Sequence, residues 1–147
     1  MTEYRIIIAG GRDFNNTYLF EKTINQCLSQ IFDYHNKSND RNFTVEIVSG
    51  GAKGADSMGE RYAAFLGYPV RKFLPNWNLY GKAAGPFRNE QMAKYANKEG
   101  NGILIAFWDG KSSGTKSMIN LAKKHGLDVH IQIYNGDEKD EQIFWEM

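Results

Sequence analysis

The sequence has one cysteine, three prolines, no long hydrophobic run and no excess of either charge. Cys27 alone cannot form an internal disulfide or a cysteine cage for a metal, and this cysteine usage favours a reducing cytoplasm. The apolar run near the N-terminus is far shorter than the ~18 residues of a membrane span, so neither a signal peptide nor an anchor is expected. Eighteen Lys and Arg nearly balance 17 Asp and Glu, which argues against broad contact with duplex DNA or an anionic membrane. An anionic ligand would therefore be small and locally held.

The chain has 147 residues, 41% of them hydrophobic and 24% charged. A chain of this size buries enough surface to form a core without disulfides or metals. We therefore expect one globular domain over residues 1–147, with its core at about 4–133 and a C-terminal tail at 134–147. Within the tail, the adjacent apolar residues Ile143, Phe144 and Trp145 are predicted to pack on the domain or to meet a partner.

Predicted strands and helices alternate along the chain, and each type is identified by its hydrophobic periodicity. Short apolar runs predict five strands at Tyr4–Ala9, Phe43–Val48, Val70–Leu74, Gly102–Phe107 and Asp128–Ile133. Helices are predicted at Thr17–Tyr34, Ser57–Leu66, Phe87–Ala96 and Thr115–His125, and loops at His35–Asn42 and from Pro75 to Pro86. This alternation indicates an α/β fold, in which a mainly parallel five-stranded sheet carries helices on both faces.

Glycine-rich corners follow three of the strands, namely GGRDF after the first, SGGAKGAD after the second and WDGKSSGT after the fourth. In an open parallel sheet, ligands bind outside the carboxyl ends of the strands. Glycines allow close approach of the backbone, and the helix N-termini that follow offer N–H groups to an anion. The corners therefore predict a phosphate or nucleotide site. The corners do not have the spacing of the dinucleotide fingerprint. They do not match the P-loop either, since Ile105 stands where the P-loop requires a glycine before Gly110.

Four ordered motifs resemble those of the YspA/YpsA-related branch of the SLOG superfamily, which also contains DprA and the lonely-guy phosphoribohydrolases. The motifs are GGRDF, SGGAKGAD, the P-x-W-x-x-Y-G-x-A-A-G-P-x-R-N-x-x-M pattern of Pro75–Met92 and the F-W-D-G-x-S-x-G-T-x-x-M-I pattern of Phe107–Ile119. The resemblance spans about Tyr4–Ile133. It implies a Rossmann-like three-layer domain with phosphate-binding loops and a nucleotide or ADP-ribose-like ligand.

The sequence departs from the lonely-guy enzymes at one position. Those enzymes pair an arginine with a glutamate to cleave an N-glycosidic bond. Arg88 matches the arginine, but Met118 stands at the position of the glutamate. A thioether cannot act as a general acid or base, so no catalytic residue is assigned. Asp13, Asp56, Glu90 or Asp109 could take the role from another corner.

The candidate ligand-binding residues lie in the corners and in the Pro75–Met92 motif, and no metal site or cofactor is predicted. They are Gly10, Gly11, Arg12, Asp13, Ser49, Gly50, Gly51, Lys53, Gly54, Asp56, Trp77, Arg88, Asn89, Trp108, Asp109, Ser112, Ser113, Gly114 and Thr115.

Each predicted role has a structural alternative. Arg12 and Arg88 would hold phosphate with a forked guanidinium, or else form salt bridges. Asp56 is predicted to cap the following helix rather than to bind ribose. Trp77, Tyr80 and Trp108 would stack on a base or fill gaps in the core. Cys27 is predicted to be a core residue, and the three histidines show no metal-ligand spacing.

Three functions remain open from the sequence. The leading prediction is a cytoplasmic sensor or sequestering protein for a nucleotide or ADP-ribose-like molecule, assembled as a homodimer or larger homo-oligomer because lonely-guy relatives are dimeric. The second is a nucleotide N-glycosidase with a relocated carboxylate. The third is a single-strand DNA binder of the DprA kind, which the near-neutral charge disfavours, since such proteins follow the strand with a basic groove.

Overall fold

A computed structural model describes residues 1–135 of the chain. The apolar Ile143-Phe144-Trp145 segment of the tail lies outside these described residues. The described strands are β1 (Thr2–Gly10), β2 (Phe43–Ser49), β3 (Val70–Lys72), β4 (Gly102–Trp108) and β5 (Asp128–Ile133). The described helices are α1 (Thr17–Lys37), α2 (Ala55–Leu66), the short α3 (Trp77–Tyr80), α4 (Ala84–Ala96) and α5 (Ser113–Lys124).

The five strands form one parallel sheet in the order β3-β2-β1-β4-β5. The chain moves outward from β1 through β2 to β3, crosses back to the far side of β1, and continues through β4 to β5. The direction of the connections therefore reverses between β1 and β4, which is where an open α/β sheet forms its ligand crevice. The predicted Rossmann-like α/β architecture is confirmed.

Two cores cover the faces of the sheet, and alternate strand residues enter different cores. Ile6 and Ile8 of β1 pack with α1 and α2, whereas Ile7 and Ala9 pack with α4 and α5. Both faces are thus apolar, which explains the unbroken Ile-Ile-Ile-Ala run. Cys27 lies in the first core as predicted, and burial raises the pKa of its thiol to about 11.

The first predicted loop was partly wrong. Helix α1 continues into the polar tract and ends at Lys37, so His35 is helical and buried rather than solvated. The hydroxyl group of Tyr4 lies 2.8 Å from His35 Nε2, and the ring of Phe43 stacks on the imidazole. These contacts come from the distant β1 and β2, so the local polar pattern does not reveal them.

The second predicted loop, from Pro75 to Pro86, contains α3 and a 3₁₀ turn at Gly81–Ala83. The side chain of Asn76 begins α3 by accepting the N–H of Leu79. Helix α4 then begins at Ala84, three residues earlier than predicted, with Pro86 in its first turn. Strand β3 ends at Lys72 rather than at Leu74, and α2 begins at Ala55 rather than at Ser57.

Candidate ligand-binding cleft

A cleft of about 760 Å³ lies at the carboxyl edge of the sheet, over the ends of β1 and β4. Its volume is within the usual range for small-molecule sites. All three glycine-rich corners contribute to it, through Gly10–Asp13, Gly50 and Ser112–Thr115. The three corners therefore converge on one pocket, as expected where parallel strands end at the same edge of a sheet.

The first corner lies against both neighbouring elements because Gly10 has no side chain. A Cβ at Gly10 would lie 2.5 Å from the carbonyl oxygen of Phe107 and 2.8 Å from the Cβ of Ala55. The N–H of Gly11 donates to that Phe107 oxygen, and the N–H of Ala55 donates to the carbonyl of Gly11. The corner is therefore fixed between β4 and the start of α2.

A chain of polar contacts holds the second corner from below. Ser49 is fully buried, and its hydroxyl donates to Glu60 at 2.6 Å while accepting the N–H of Gly51. Glu60 in turn pairs with Lys72 at 3.1 Å. Ser49 thus supports the loop and does not line the cleft.

Asp56 does not cap α2, so that prediction was wrong. Helix α2 begins one residue before it, and its N-cap residue, Gly54, provides no side-chain hydrogen bond. The Asp56 carboxylate instead turns back and accepts the N–H of Ala52 at 3.3 Å. Burial raises its pKa to about 6, although the Ala52 N–H and the positive charge of Arg88 oppose the rise. Asp56 is therefore a buried carboxyl group at the wall of the cleft.

Arg88 connects two loops beneath the cleft. Its Nη1 donates to the carbonyl of Gly50 at 2.6 Å and to that of Phe73 at 3.3 Å, and its Nε donates to Asn89. Burial lowers the pKa of the guanidinium, while the charge of Asp56 raises it. Arg88 lines the cleft and also has a structural role, which explains why it is only partly exposed.

The third corner presents the start of α5 to the cleft. Asp109 Oδ1 accepts the N–H groups of Lys111 and Ser112, each at 2.8 Å, and the N–H of Ser112 is the main cause of the lowered pKa of Asp109. The first intrahelical bond runs from the N–H of Lys116 to Ser112, and the Ser112 side chain makes no capping bond. The three N–H groups of residues 113–115 precede that bond and have no intrahelical acceptor.

The three aromatic candidates have different surroundings. Trp77 lines the cleft and is 52% exposed. Trp108 packs against the second core, and its indole N–H donates to the carbonyl of Ser112, so it stabilises the third corner from below. Tyr80 lies outside the cleft and stacks on Phe87. Among the described residues, Trp77 is the aromatic side chain that lines the cleft.

The cleft contains three of the four carboxylates that could replace the missing glutamate. Asp13 accepts the hydroxyl of Tyr134, Asp109 is engaged by its own turn, and Asp56 lies beside Arg88. Glu90 lies elsewhere, next to Lys94 and His125. Met118 is buried and lines the cleft, so the position that bears a glutamate in the lonely-guy enzymes is an apolar part of its wall.

Fourteen of the nineteen predicted site residues line the cleft, and five do not: Ser49, Gly51, Lys53, Gly54 and Trp108. The cleft is also lined by residues that the prediction omitted, namely Ala9, Ala52, Lys82, Gly85, Pro86, Met92, Ser117 and Met118. Gly85, Pro86 and Met92 belong to the Pro75–Met92 motif and could have been included on that basis. Lys82 occupies a variable position of that motif, so no signal in the sequence identified it.

Comparison with known proteins identifies the family. The chain belongs to YAcAr, the YspA, cpYpsA-related SLOG family, whose model matches residues 4–80. The Gene 61 protein of Mycobacterium phage D29 is 35% identical over 92 residues, which cover 59% of this chain and 70% of that protein. No solved structure matches the chain. The resemblance drawn from the motifs is confirmed, and membership in the family indicates nucleotide-related small-molecule binding.

The described residues contain neither a cluster of metal-ligating side chains nor a helix that could cross a membrane. Residues 1–135 contain no group of three His, Cys, Asp or Glu side chains arranged to hold a metal ion. In the same part of the chain, no helix combines the length and the hydropathy that crossing a membrane requires.

Proposed function

We propose that the protein binds a nucleotide or an ADP-ribose-like ligand in the cleft, as a cytoplasmic sensor or sequestering protein. The observation that carries this proposal is the start of α5, where Ser113, Gly114 and Thr115 line the cleft and their N–H groups precede the first intrahelical bond. Such N–H groups and the helix dipole favour a phosphate group. Arg88 and Lys82 add positive charge to the same cleft, and Trp77 offers an aromatic face for a base.

The test removes one backbone donor without breaking the helix. Ser113 is the first residue of α5, where proline is well tolerated, and Ser112 already has the extended φ of −57° and ψ of 123° that proline requires of its predecessor. Affinities for AMP and ADP-ribose would be measured by calorimetry. Loss of one hydrogen bond to a charged group, worth about 1.5–3 kcal/mol, predicts that Ser113→Pro binds each ligand roughly 10–100-fold more weakly.

Two further variants separate the backbone effect from other causes. Ser113→Ala removes the hydroxyl group and keeps the N–H, so it should bind close to wild type. Thr17→Pro makes the same kind of change at the first residue of α1, which lies outside the cleft, and should not change the affinity for AMP. The proposal fails if wild type binds neither ligand, or if Ser113→Pro binds both as well as wild type does.

One observation favours a second candidate function, a nucleotide N-glycosidase. Asp56 lines the cleft beside Arg88, and its pKa of about 6 is suited to proton transfer near neutral pH. Incubation with AMP, ADP-ribose and NAD, followed by chromatography of free base, tests this function. Base release by wild type that Asp56→Asn abolishes would replace the binding function with the enzymatic one. If wild type releases no base, the Met118→Glu variant tests whether a glutamate at this position restores cleavage of the N-glycosidic bond.

We also propose that the protein forms a homodimer or a larger homo-oligomer. In support, several large apolar side chains outside the cleft, on and around α3, are exposed, namely Leu74, Leu79, Tyr80 and Phe87. Exposed apolar surface of this kind commonly marks an interface. Light scattering at tens of micromolar protein should report at least twice the monomer mass, and a monomeric mass would contradict the proposal.

A further inference from the structure

A second cavity, of about 470 Å³, adjoins the cleft across Arg12. We name it the annex and define it by Arg12, Asp13, Lys53, Gly54 and Arg61, which line it. Arg12 and Asp13 line the cleft as well, so the two cavities share a wall. Lys53 and Gly54, which the sequence placed in the ligand site, lie here rather than in the cleft.

The shared wall is the backbone of the first corner. Gly54 has a φ of +79°, and a Cβ there would overlap the carbonyl oxygen of Gly11 and lie 2.8 Å from the carbonyl of Arg12. The second corner therefore lies directly against the first. Arg12 and Asp13 line both cavities, so a group bound in the cleft and a group bound in the annex would both lie next to them.

The two cavities differ in charge. The cleft contains Arg12, Lys82 and Arg88, whose charges are balanced by Asp13, Asp56 and Asp109. In the annex, Arg12, Lys53 and Arg61 face one acid, Asp13. The described chain therefore concentrates an excess of two positive charges in the annex, although the charge of the whole protein is only +1.

The part of the chain that the structure describes offers the cations of the annex no ion-pair partner. Within residues 1–135, Arg12, Lys53 and Arg61 form no ion pair, whereas Lys72 and Lys94 each pair with a glutamate. The acid that they face, Asp13, already accepts the Tyr134 hydroxyl at 2.6 Å. Two guanidinium groups and an ammonium group are thus left for a ligand, and guanidinium groups bind phosphate with a forked pair of hydrogen bonds.

We propose that the annex binds a second phosphate group, so that the ligand is a nucleotide with two phosphates, one in the cleft and one in the annex. This inference rests on the proposed function, because the first phosphate is the one assigned to α5. Arg12 contacts both groups from the shared wall, while Lys53 and Arg61 contact only the second. A nucleotide with one phosphate leaves Lys53 and Arg61 unused.

The experiment compares three adenine nucleotides by calorimetry. AMP has one phosphate, ADP has two adjacent phosphates, and adenosine 3′,5′-bisphosphate has two separated ones. We expect at least one of the two-phosphate ligands to bind wild type tenfold or more tightly than AMP. Preference for ADP would mean adjacent phosphates, and preference for the bisphosphate would mean separated ones; either supports the annex.

Variants show whether the preference arises in the annex. Lys53→Ala and Arg61→Ala should each reduce the preference over AMP at least threefold and leave the affinity for AMP within twofold of wild type. Arg41→Ala is the matched control, because Arg41 is exposed and lines neither cavity. Melting temperatures would confirm that all variants are folded.

The possible failures are distinguishable. If AMP binds but neither two-phosphate ligand binds more tightly, or if the preference survives both annex variants unchanged, the annex proposal is overturned and the cleft proposal stands. If none of the three nucleotides binds, the proposed function itself fails and the annex proposal fails with it.

Discussion

The Arg88 guanidinium lies so close to Gly50 that a side chain at residue 50 would have to displace it. Nη1 of Arg88 donates to the carbonyl oxygen of Gly50 at 2.6 Å, and a Cβ at Gly50 would lie 2.6 Å from that same nitrogen. The added carbon would also lie 3.0 Å from the carboxylate of Asp56. Residue 50 thus sets the position of the cation and of the acid at this wall of the cleft.

We predict that Gly50→Ala displaces the Arg88 guanidinium and weakens both ligand binding and the fold. The free energy of unfolding should fall by about 1–3 kcal/mol, the usual cost of overpacking a close contact. Denaturant unfolding and calorimetric titration with ADP-ribose measure the two effects. Gly114→Ala is the control for stability, because nothing lies within 4 Å of a Cβ built there. Equal stability and affinity of Gly50→Ala and wild type would show that the contact is unimportant.

Arg88→Ala should reduce both affinity and stability. Loss of a charged hydrogen bond to phosphate predicts about 1.5–3 kcal/mol of binding free energy. The carbonyls of Gly50 and Phe73 also lose their donor, so the free energy of unfolding should fall by roughly 1–3 kcal/mol. Arg71→Ala, which removes an exposed arginine outside the cleft, should leave affinity unchanged. An Arg88→Ala protein that binds AMP and ADP-ribose normally would remove this residue from the site.

The raised pKa of Asp56 predicts a pH dependence of stability. Between the unfolded pKa of 3.8 and the folded pKa of about 6, the folded state keeps a proton that the unfolded state has lost. The contribution of this group to stability is therefore greatest below pH 3.8, falls as the pH rises to about 6, and is constant above it. The total change is roughly 3 kcal/mol at most. Asp56→Asn should remove this part of the slope; an Asp56→Asn protein with the same pH profile as wild type would contradict the assignment.

Ligand affinity should also depend on whether Asp56 is protonated. Protonated Asp56 no longer repels an anion, so wild type should bind ADP-ribose more tightly at pH 5 than at pH 7.5. ADP-ribose is preferred to AMP in this experiment because a phosphate monoester itself titrates near pH 6. Asp56→Asn should bind equally at both pH values. A wild-type affinity that does not vary with pH would place the anion away from Asp56.

Trp77→Ala should weaken nucleotide binding without affecting the fold. Trp77 is half exposed at the cleft, and stacking on a base contributes about 1–3 kcal/mol. Tyr80→Ala, which removes an exposed aromatic ring outside the cleft, is the matched control and should bind normally. If Trp77→Ala and wild type have equal affinity for AMP, the base lies elsewhere.

The order of strands and helices was predictable from the sequence because local periodicity encodes it. The runs of β1 and β4 are apolar throughout, and the structure places both strands inside the sheet with a core on each face. Burial of His35 was not predictable, because it depends on Tyr4 and Phe43, which are distant in sequence. Helix α3 was missed because four residues are too few to show a helical period.

The positions of the site loops were predictable, whereas the contacts of individual side chains were not. Parallel strands end at one edge, so the glycine corners had to meet. The predicted cap at Asp56 failed because α2 begins at Ala55, one residue before Asp56, and the carboxylate turns back to Ala52. The annex could not be predicted from the sequence for a similar reason. Arg12, Lys53 and Arg61 come together only when the first two corners pack against each other.

A crystal structure of the protein with ADP-ribose tests the central claim most directly, because it locates the phosphate groups. We predict a phosphate oxygen within hydrogen-bonding distance of the N–H groups of residues 113–115, inside the cleft that residues 10–13 and Gly50 also line. Ligand bound at any other surface, or a cleft without ligand in crystals grown at a saturating concentration, would contradict it.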